Sequence, residues 1–110
     1  MQLPKTPFTI ADWSAVPPTQ HAGETGSATW RTLDFGDMRV RMVEYSAGYL
    51  ADHWCDRGHV LLGLDGVLDT ELMDGRRFTL TAGQSYQVSD FGDAAHRSST
   101  ATGAKLFIVD

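Results

Sequence analysis

The chain has 110 residues, 42% of them hydrophobic, and a net charge of −5, which suits a single compact, soluble domain. Its longest basic run is Arg76-Arg77, so we expect no nucleic-acid partner, because phosphate backbones attract a positive surface. No apolar run is long enough for a bilayer, and the first residues do not resemble a signal peptide. We therefore expect a cytoplasmic protein with no membrane partner.

The first 27 residues are rich in proline and glycine and show no helical periodicity. We predict an irregular N-terminal segment over residues 1–27, with a short edge segment near residues 9–12. The remaining chain, residues 28–110, is predicted to form the folded barrel. Because such a segment and the edges of a small sheet can pair with another chain, we expect a homodimer to which the N-terminal segment contributes.

From residue 28 onward, apolar and polar residues alternate as they do in strands. Gly36-Asp37 and Asp74-Gly75 each separate two alternating runs and predict hairpin turns. We interpret Gly66 as a break between two strands. The predicted strands lie within these runs: "ATWRTLDF", "MRVRMVEY", "HVLLGL", "VLDTELM", "RRFTLTAG", "QSYQVSD", "HRSST" and "AKLFIVD". Eight to ten short strands at regular spacing predict an all-β sandwich or barrel.

The segment "ADHWCDRGH" contains the single cysteine and two of the four histidines. On an extended strand, His53 and Cys55 would face one side, and a turn before His59 would return that side chain beside them. His96 begins a later strand. Imidazole and thiolate groups bind zinc and similar metals well. The alternative is that each histidine is a hydrogen-bonded core residue and the cysteine a small hydrophobe, and we interpret His21 as a solvated loop residue.

The spacing of this segment resembles the first motif of the cupin superfamily, G-x5-H-x-H-x3,4-E-x6-G. Here Gly48 is followed after four residues by His53, and then come Cys55, His59 and, after six residues, Gly66. Two positions differ from the motif, because cysteine replaces its second histidine and histidine replaces its glutamate. Both replacements are themselves metal-ligand types.

The second cupin motif, G-x5-P-x-G-x2-H-x3-N, is present in a weaker form. Gly83 begins it, Ser89 stands where proline is usual, Gly92 comes one residue late, and His96 and Thr100 follow. The resemblance covers about residues 37–110. The chain also resembles small single-domain cupins named for a D-H-C-W motif, whose letters occur here as residues 52–55 in the order D-H-W-C.

The resemblance implies a single-domain cupin, a double-stranded β-helix or jelly-roll barrel, with a metal held by His53, Cys55, His59 and His96. Three imidazoles and one thiolate favour zinc, with iron, nickel or copper as alternatives. A tetrahedral zinc bound by all four side chains would be closed and structural, whereas catalysis requires an open position.

Three functional hypotheses therefore stand together. The chain is a metal-binding cupin with a barrel cavity for a small molecule and serves as a metal-dependent isomerase, lyase, hydrolase or oxygenase. Alternatively, it is a non-catalytic binding or sensing module with a structural metal, or a metal-free barrel. Tyr86 and Val88 are expected to line the cavity. Arg41 and Arg97 could hold an anionic ligand, although exposed surface arginines are the simpler interpretation.

Overall fold

The computed structural model describes residues 3–110 as a mainly β structure, with one short 3-10 helix at Trp13–Ala15. No helix within these residues is long and apolar enough to cross a membrane. Eight strands are present in this part of the chain. They are β1 (Thr19–Ala22), β2 (Ser27–Phe35), β3 (Met38–Tyr45), β4 (His59–Leu72), β5 (Arg77–Thr81), β6 (Ser85–Val88), β7 (His96–Ser99) and β8 (Ala104–Val109).

All of the strand pairs are antiparallel, and β4 takes part in four of them. The first half of β4 pairs with β8 and β6, in the sheet that continues through β3 and β2 to β1. The second half of β4 pairs with β5 and β7 in the other sheet. One strand therefore joins both sheets of the barrel, and the side chains at its two ends belong to different walls.

The interpretation of Gly66 as a break between strands is wrong. β4 runs continuously through 14 residues and bends instead, with a register shift between Gly63 and Asp65 where it pairs with β8. Gly66 has a φ of +76°, and a Cβ there would lie 2.1 Å from the carbonyl oxygen of Gly103. Only glycine fits this contact, so the glycine that resembles a strand terminator is the residue that allows the strand to change sheets.

Both predicted hairpin turns are confirmed. Gly36 joins β2 to β3 with a φ of +61°, and Gly75 joins β4 to β5 with a φ of +98°. The predicted alternation of β3 is also confirmed, since Arg41 and Val43 are buried whereas Glu44 is exposed on the outer face. The buried hydrophobic cluster comes from β3, β4 and β8 and consists of Val43, Leu61, Leu68, Ala104, Leu106 and Ile108.

The N-terminal segment is more ordered than the sequence suggests. Residues 19–22 form β1, which pairs with β2 of the same chain, whereas residues 9–12 form no strand. A guanidinium nitrogen of Arg31 donates to the backbone carbonyls of Trp13 and Val16 and so fastens the 3-10 helix to the sheet. Farther toward the N-terminus, Phe8 is 96% exposed and Ile10 is 84% exposed.

We expect Gly66→Ala to destabilise the fold through two effects, a strained φ and a collision with the Gly103 carbonyl. Gly48 provides a matched control, because its φ is +77° but a Cβ there would meet nothing within 4 Å. Gly48→Ala should lower the free energy of unfolding by about 1 kcal/mol, and Gly66→Ala by about 2–4 kcal/mol. Urea denaturation of both variants measures the difference, and equal losses would show that the close contact has no cost.

The homodimer remains a prediction, and the exposed Phe8 and Ile10 make it testable. If they pack on a second copy, replacing both with serine should convert a dimer to a monomer in multi-angle light scattering. Met73→Ser removes another exposed hydrophobic side chain, 58% exposed, and should leave the dimer intact. A monomeric wild-type chain at micromolar concentration would contradict the prediction.

Candidate functional site

Two of the predicted ligands, His59 and His96, meet inside the barrel. His59 begins β4 and His96 begins β7, so each strand places one imidazole at its start. Their ring centroids lie 4.7 Å apart with the planes at 85°, an edge-to-face contact. His96 is 5% exposed. The fold thus brings together two histidines that are 37 positions apart in the sequence.

Each of the two imidazoles has one buried nitrogen without a partner. His59 Nε2 lies 2.8 Å from the hydroxyl of Tyr86, which sits on the neighbouring strand β6. His59 Nδ1 and His96 Nε2 are both buried and have no hydrogen-bond partner among the described residues. Buried polar atoms are normally paired, because leaving one unsatisfied costs about 1–3 kcal/mol. The two free nitrogens are therefore available to a partner from outside the chain.

Cys55 is held beside His96 by the backbone. The two residues form an isolated bridge in which the Cys55 N–H donates to the His96 carbonyl at 2.8 Å, and the His96 N–H donates to the Cys55 carbonyl at 3.0 Å. The Cys55 thiol makes only a long contact, 3.9 Å, with the carbonyl oxygen of Arg57. Its backbone is fixed while its side chain is weakly held.

His53 lies away from this interior pair. Residues 52 and 53 form a bend, so the alternation expected of an extended strand does not hold, and the side chain of His53 is 74% exposed. Its Nδ1 lies 2.6 Å from a carboxylate oxygen of Asp52. The prediction that His53 and Cys55 face the same side assumed an extended strand. That assumption is wrong, because residues 52 and 53 form a bend.

The donor set fits a metal in part. Within residues 3–110, no three His, Cys, Asp or Glu side chains are arranged so that together they hold a metal ion. His59 and His96 offer two unpaired nitrogens, and a third predicted ligand, Cys55, is bridged to His96 through the backbone. Two imidazoles leave at least two positions of a tetrahedral metal for other donors. That all four predicted residues bind one metal stays a prediction.

The interior around these histidines favours uncharged groups. Burial is the main cause, followed by the neighbouring His96, and together they lower the pKa of His59 to about 4. Burial likewise lowers the pKa of His96 and raises the pKa of Tyr86. It also raises the pKa of Tyr45 to about 12, with the stacked ring of Tyr49 adding to the effect. Near neutral pH the imidazoles are therefore neutral and suited to act as metal ligands or hydrogen-bond partners.

The arginines suggested for an anionic ligand each bind a carboxylate through a terminal nitrogen, while the Nε of each is buried without a partner among the described residues. Arg41 is buried and donates to Asp110 at 2.9 Å, and its guanidinium lies 4.4 Å from the ring centre of Trp30. Arg39 donates to the same carboxylate, whose side chain is only 2% exposed. Arg97 contacts Glu71 at 3.2 Å and lies over the ring of Trp54. The simpler interpretation of Arg41 as an exposed surface residue is wrong.

His21 is not a solvated loop residue either. It lies on β1, half-buried, with its ring stacked on Trp30 at a centroid distance of 3.8 Å. Its Nε2 lies 2.8 Å from the hydroxyl of Thr19. Every feature of this histidine is accounted for by packing, so it serves as a control residue rather than a site residue.

A cavity of about 520 Å³ opens beside His96, between β5 and β6. Tyr86 and Val88 line it, as the sequence predicts. Leu72, Phe78 and Leu80 form an apolar wall, and Thr70 contributes a hydroxyl. The volume is in the ordinary range of small-molecule sites. Sequence reasoning did not find Thr70, and no local signal marks it, because its position follows only from the register of β4 with β5 and β7.

The solved structures that this chain resembles include several cupins. It superimposes on an RmlC-like cupin from Shewanella frigidimarina with a TM-score of 0.73 and 16% identity, covering 94% of this chain and 89% of that one. For ectoine synthase from P. lautus, the TM-score is 0.70, the identity 16% and the coverage 93% and 76%. For a cupin-2 domain protein from S. frigidimarina, the TM-score is 0.59 and the identity 19%, and the match covers 74% of this chain and 78% of that one.

These likenesses confirm the predicted fold, an all-β single-domain cupin barrel. At such low identity they show the fold alone, since one fold supports many activities. No protein-family model and no curated protein matches the sequence. What the site does must therefore be argued from its own residues.

The raised tyrosine pKa values predict a fold that loses stability in base. Tyr45 titrates near 10 when unfolded but at about 12 when folded, so stability is complete below pH 10 and falls as the pH rises from 10 toward 12. We expect tyrosinate absorbance to rise together with loss of the fold in a pH titration. Tyr45→Phe should weaken this dependence. Tyrosinate forming at pH 10 in the folded protein would contradict it.

Proposed function

We propose that this cupin-fold chain binds a small organic molecule in the cavity, beside a divalent transition metal held by His59 and His96. The observation that carries the proposal is the pair of buried imidazoles whose free nitrogens have no partner. Zinc is the first expectation, because neutral imidazole and thiolate are ligands that it favours. Iron, nickel and copper are the alternatives.

The chain's own residues have distinct parts in this proposal. Tyr86 fixes the ring of His59 through Nε2, which leaves Nδ1 as the nitrogen for the metal. Cys55 is a further ligand if its weakly held side chain turns inward from its fixed backbone. A bound metal supplies a Lewis acid that fixes and polarises a polar group of the ligand.

The low pKa of both histidines supports metal binding near neutral pH. A metal competes with protons for imidazole nitrogen, so a group that stays neutral binds metal without first losing a proton. Leu72, Phe78 and Leu80 add apolar surface to the same region. Whether turnover follows depends on an open position at the metal, which two imidazoles and one thiolate would leave.

The exposed His53 divides the proposal into two versions. With His53 as a fourth ligand, the bend at residues 52 and 53 must refold toward the interior, and the resulting site would be closed and structural. Without it, the site stays open to the cavity and suits ligand binding or catalysis. Its exposure and its hydrogen bond to Asp52 favour the open version.

Metal content of single variants tests the proposal. We expect purified protein, supplied with zinc, to retain close to one equivalent by elemental analysis, and His59→Ala and His96→Ala each to abolish retention. His21→Ala is the matched control, and His53→Ala should retain the metal if the site is open. A wild-type content below about 0.2 equivalents of any transition metal would reject the metal.

Cobalt substitution tests Cys55 separately. A thiolate bound to Co²⁺ gives a near-ultraviolet charge-transfer band, and we expect this band in the wild-type protein and its loss in Cys55→Ser. Retention of the metal without the band would show that the two histidines bind it without the thiol.

A second candidate is a metal-free binding module in which the free imidazole nitrogens contact the ligand directly. The absence of a three-ligand arrangement within residues 3–110 favours it. In that case the wild-type protein carries no metal, yet His96→Ala weakens binding of small molecules in the cavity. The elemental analysis therefore decides between the two candidates.

A further inference from the structure

The cavity walls are suited to an apolar ligand body. Leu72 from β4, Phe78 and Leu80 from β5, and Val88 from β6 surround a volume of about 520 Å³. Phe78 is 55% exposed and stands where the cavity meets solvent. Burying such surfaces against a ligand yields about 25 cal/mol per Å² of apolar area, so the main attraction in this cavity is hydrophobic.

One hydroxyl inside the cavity has no partner. Thr70 is 6% exposed, lines the cavity, and its Oγ1 forms no hydrogen bond with the described residues. In the strand register it stands opposite Phe78 on one side and Ser98 on the other. A hydroxyl is both donor and acceptor, and it rotates to suit its partner. A ligand hydroxyl or amide would satisfy it.

The charges around the cavity disfavour an anion. Arg76 is the one guanidinium among the described side chains that line it, and it is already bound by Asp74 at 2.8 Å and by Asp93. One cation and two carboxylates leave a net charge of −1 in this group. An anionic ligand would meet two negative charges and no free cation, whereas a cationic ligand would have to lose its hydration against apolar walls.

We infer that the cavity takes an uncharged, mainly apolar small molecule carrying one hydroxyl or amide group, which pairs with the hydroxyl of Thr70. This inference rests on the proposed small-molecule site and names its ligand class. It assigns to Thr70 the recognition of the polar group, and to the wall of β4, β5 and β6 the binding of the apolar body. The carboxylates of Asp74 and Asp93, which bind Arg76, repel ligands that carry a carboxylate.

Four compounds of similar size test the ligand class: 2-phenylethanol, ethylbenzene, phenylacetate and 2-phenylethylamine. Affinities are measured by titration calorimetry and ligand-observed NMR, on protein as purified and after removal of metal. We expect 2-phenylethanol to bind about 5- to 10-fold more tightly than ethylbenzene, the usual worth of one hydrogen bond. Phenylacetate or 2-phenylethylamine binding as tightly as the alcohol in either state would overturn the inference, as would binding by none of the four.

Thr70→Val tests the role of the hydroxyl, because valine has nearly the same shape. It should abolish the preference for the alcohol over ethylbenzene while leaving ethylbenzene affinity unchanged. Thr79→Val is the matched control, since the Thr79 hydroxyl already donates to Asp69 at 3.0 Å. It should keep the preference, and an equal loss in both variants would overturn the assignment.

Thermal unfolding of Thr70→Val provides a second measurement. Because the hydroxyl is buried without a partner, its removal should leave the melting temperature unchanged or raise it. A clear fall would mean that Thr70 is paired within the fold and is not available to a ligand. Metal retention in the His59→Ala and His96→Ala variants judges the proposed metal site separately, so the two proposals can fail independently.

Discussion

The structure depends on the close contact between Gly66 and the carbonyl of Gly103. It allows β4 to bend without breaking and to carry one set of hydrogen bonds into the first sheet and another into the second. The two halves of β4 therefore place their interior side chains on different sheets. His59 enters the interior from the first half of β4, while Thr70 and Leu72 enter from the second half, beside the strand that carries His96. A side chain at residue 66 would collide with the Gly103 carbonyl, so the backbone at this crossing would have to shift.

The interior of this barrel combines an apolar core with a small polar end. Most of the polar groups there are satisfied within the chain, as in the pairing of Arg39 and Arg41 with Asp110. Five buried side-chain atoms of the described residues lack a partner: one nitrogen each of His59 and His96, the hydroxyl of Thr70, and the Nε atoms of Arg41 and Arg97. Of these residues, Thr70 and His96 line the cavity. Unpaired groups that line a cavity are suited to binding, since a ligand or a metal would complete them.

Local patterns in the sequence predicted much of the fold. Alternation identified the strands, and the glycines at 36 and 75 identified the hairpins, because both signals depend on neighbouring residues. The cupin type of the barrel was predicted from the spacing of the two motifs that contain His59 and His96. Gly66 was misread because a glycine that ends a strand and a glycine that bends one differ only in what lies opposite, which here is Gly103, 37 residues later.

The site was predictable only in part for the same reason. His59 and His96 lie on true strands, so their spacing carried over to the structure, whereas His53 lies on a bend, where alternation has no meaning. The burial of Arg41 depends on Asp110 and Trp30, which are distant in sequence. Thr70 becomes visible only after the register of β4 is known, because a threonine in a strand is ordinarily just a good strand former.

The bridge between Cys55 and His96 also makes the local opening of the barrel measurable by amide hydrogen exchange. Each residue donates its amide hydrogen to the other. Nearby, the Ala51 N–H donates to the Ser98 carbonyl at 3.0 Å, and the Phe91 N–H donates to the Asp56 carbonyl at 3.0 Å. Both amide hydrogens of the bridge become accessible to solvent when it opens, so they should show similar protection against exchange with deuterium. That protection measures how readily the backbone next to His96 opens.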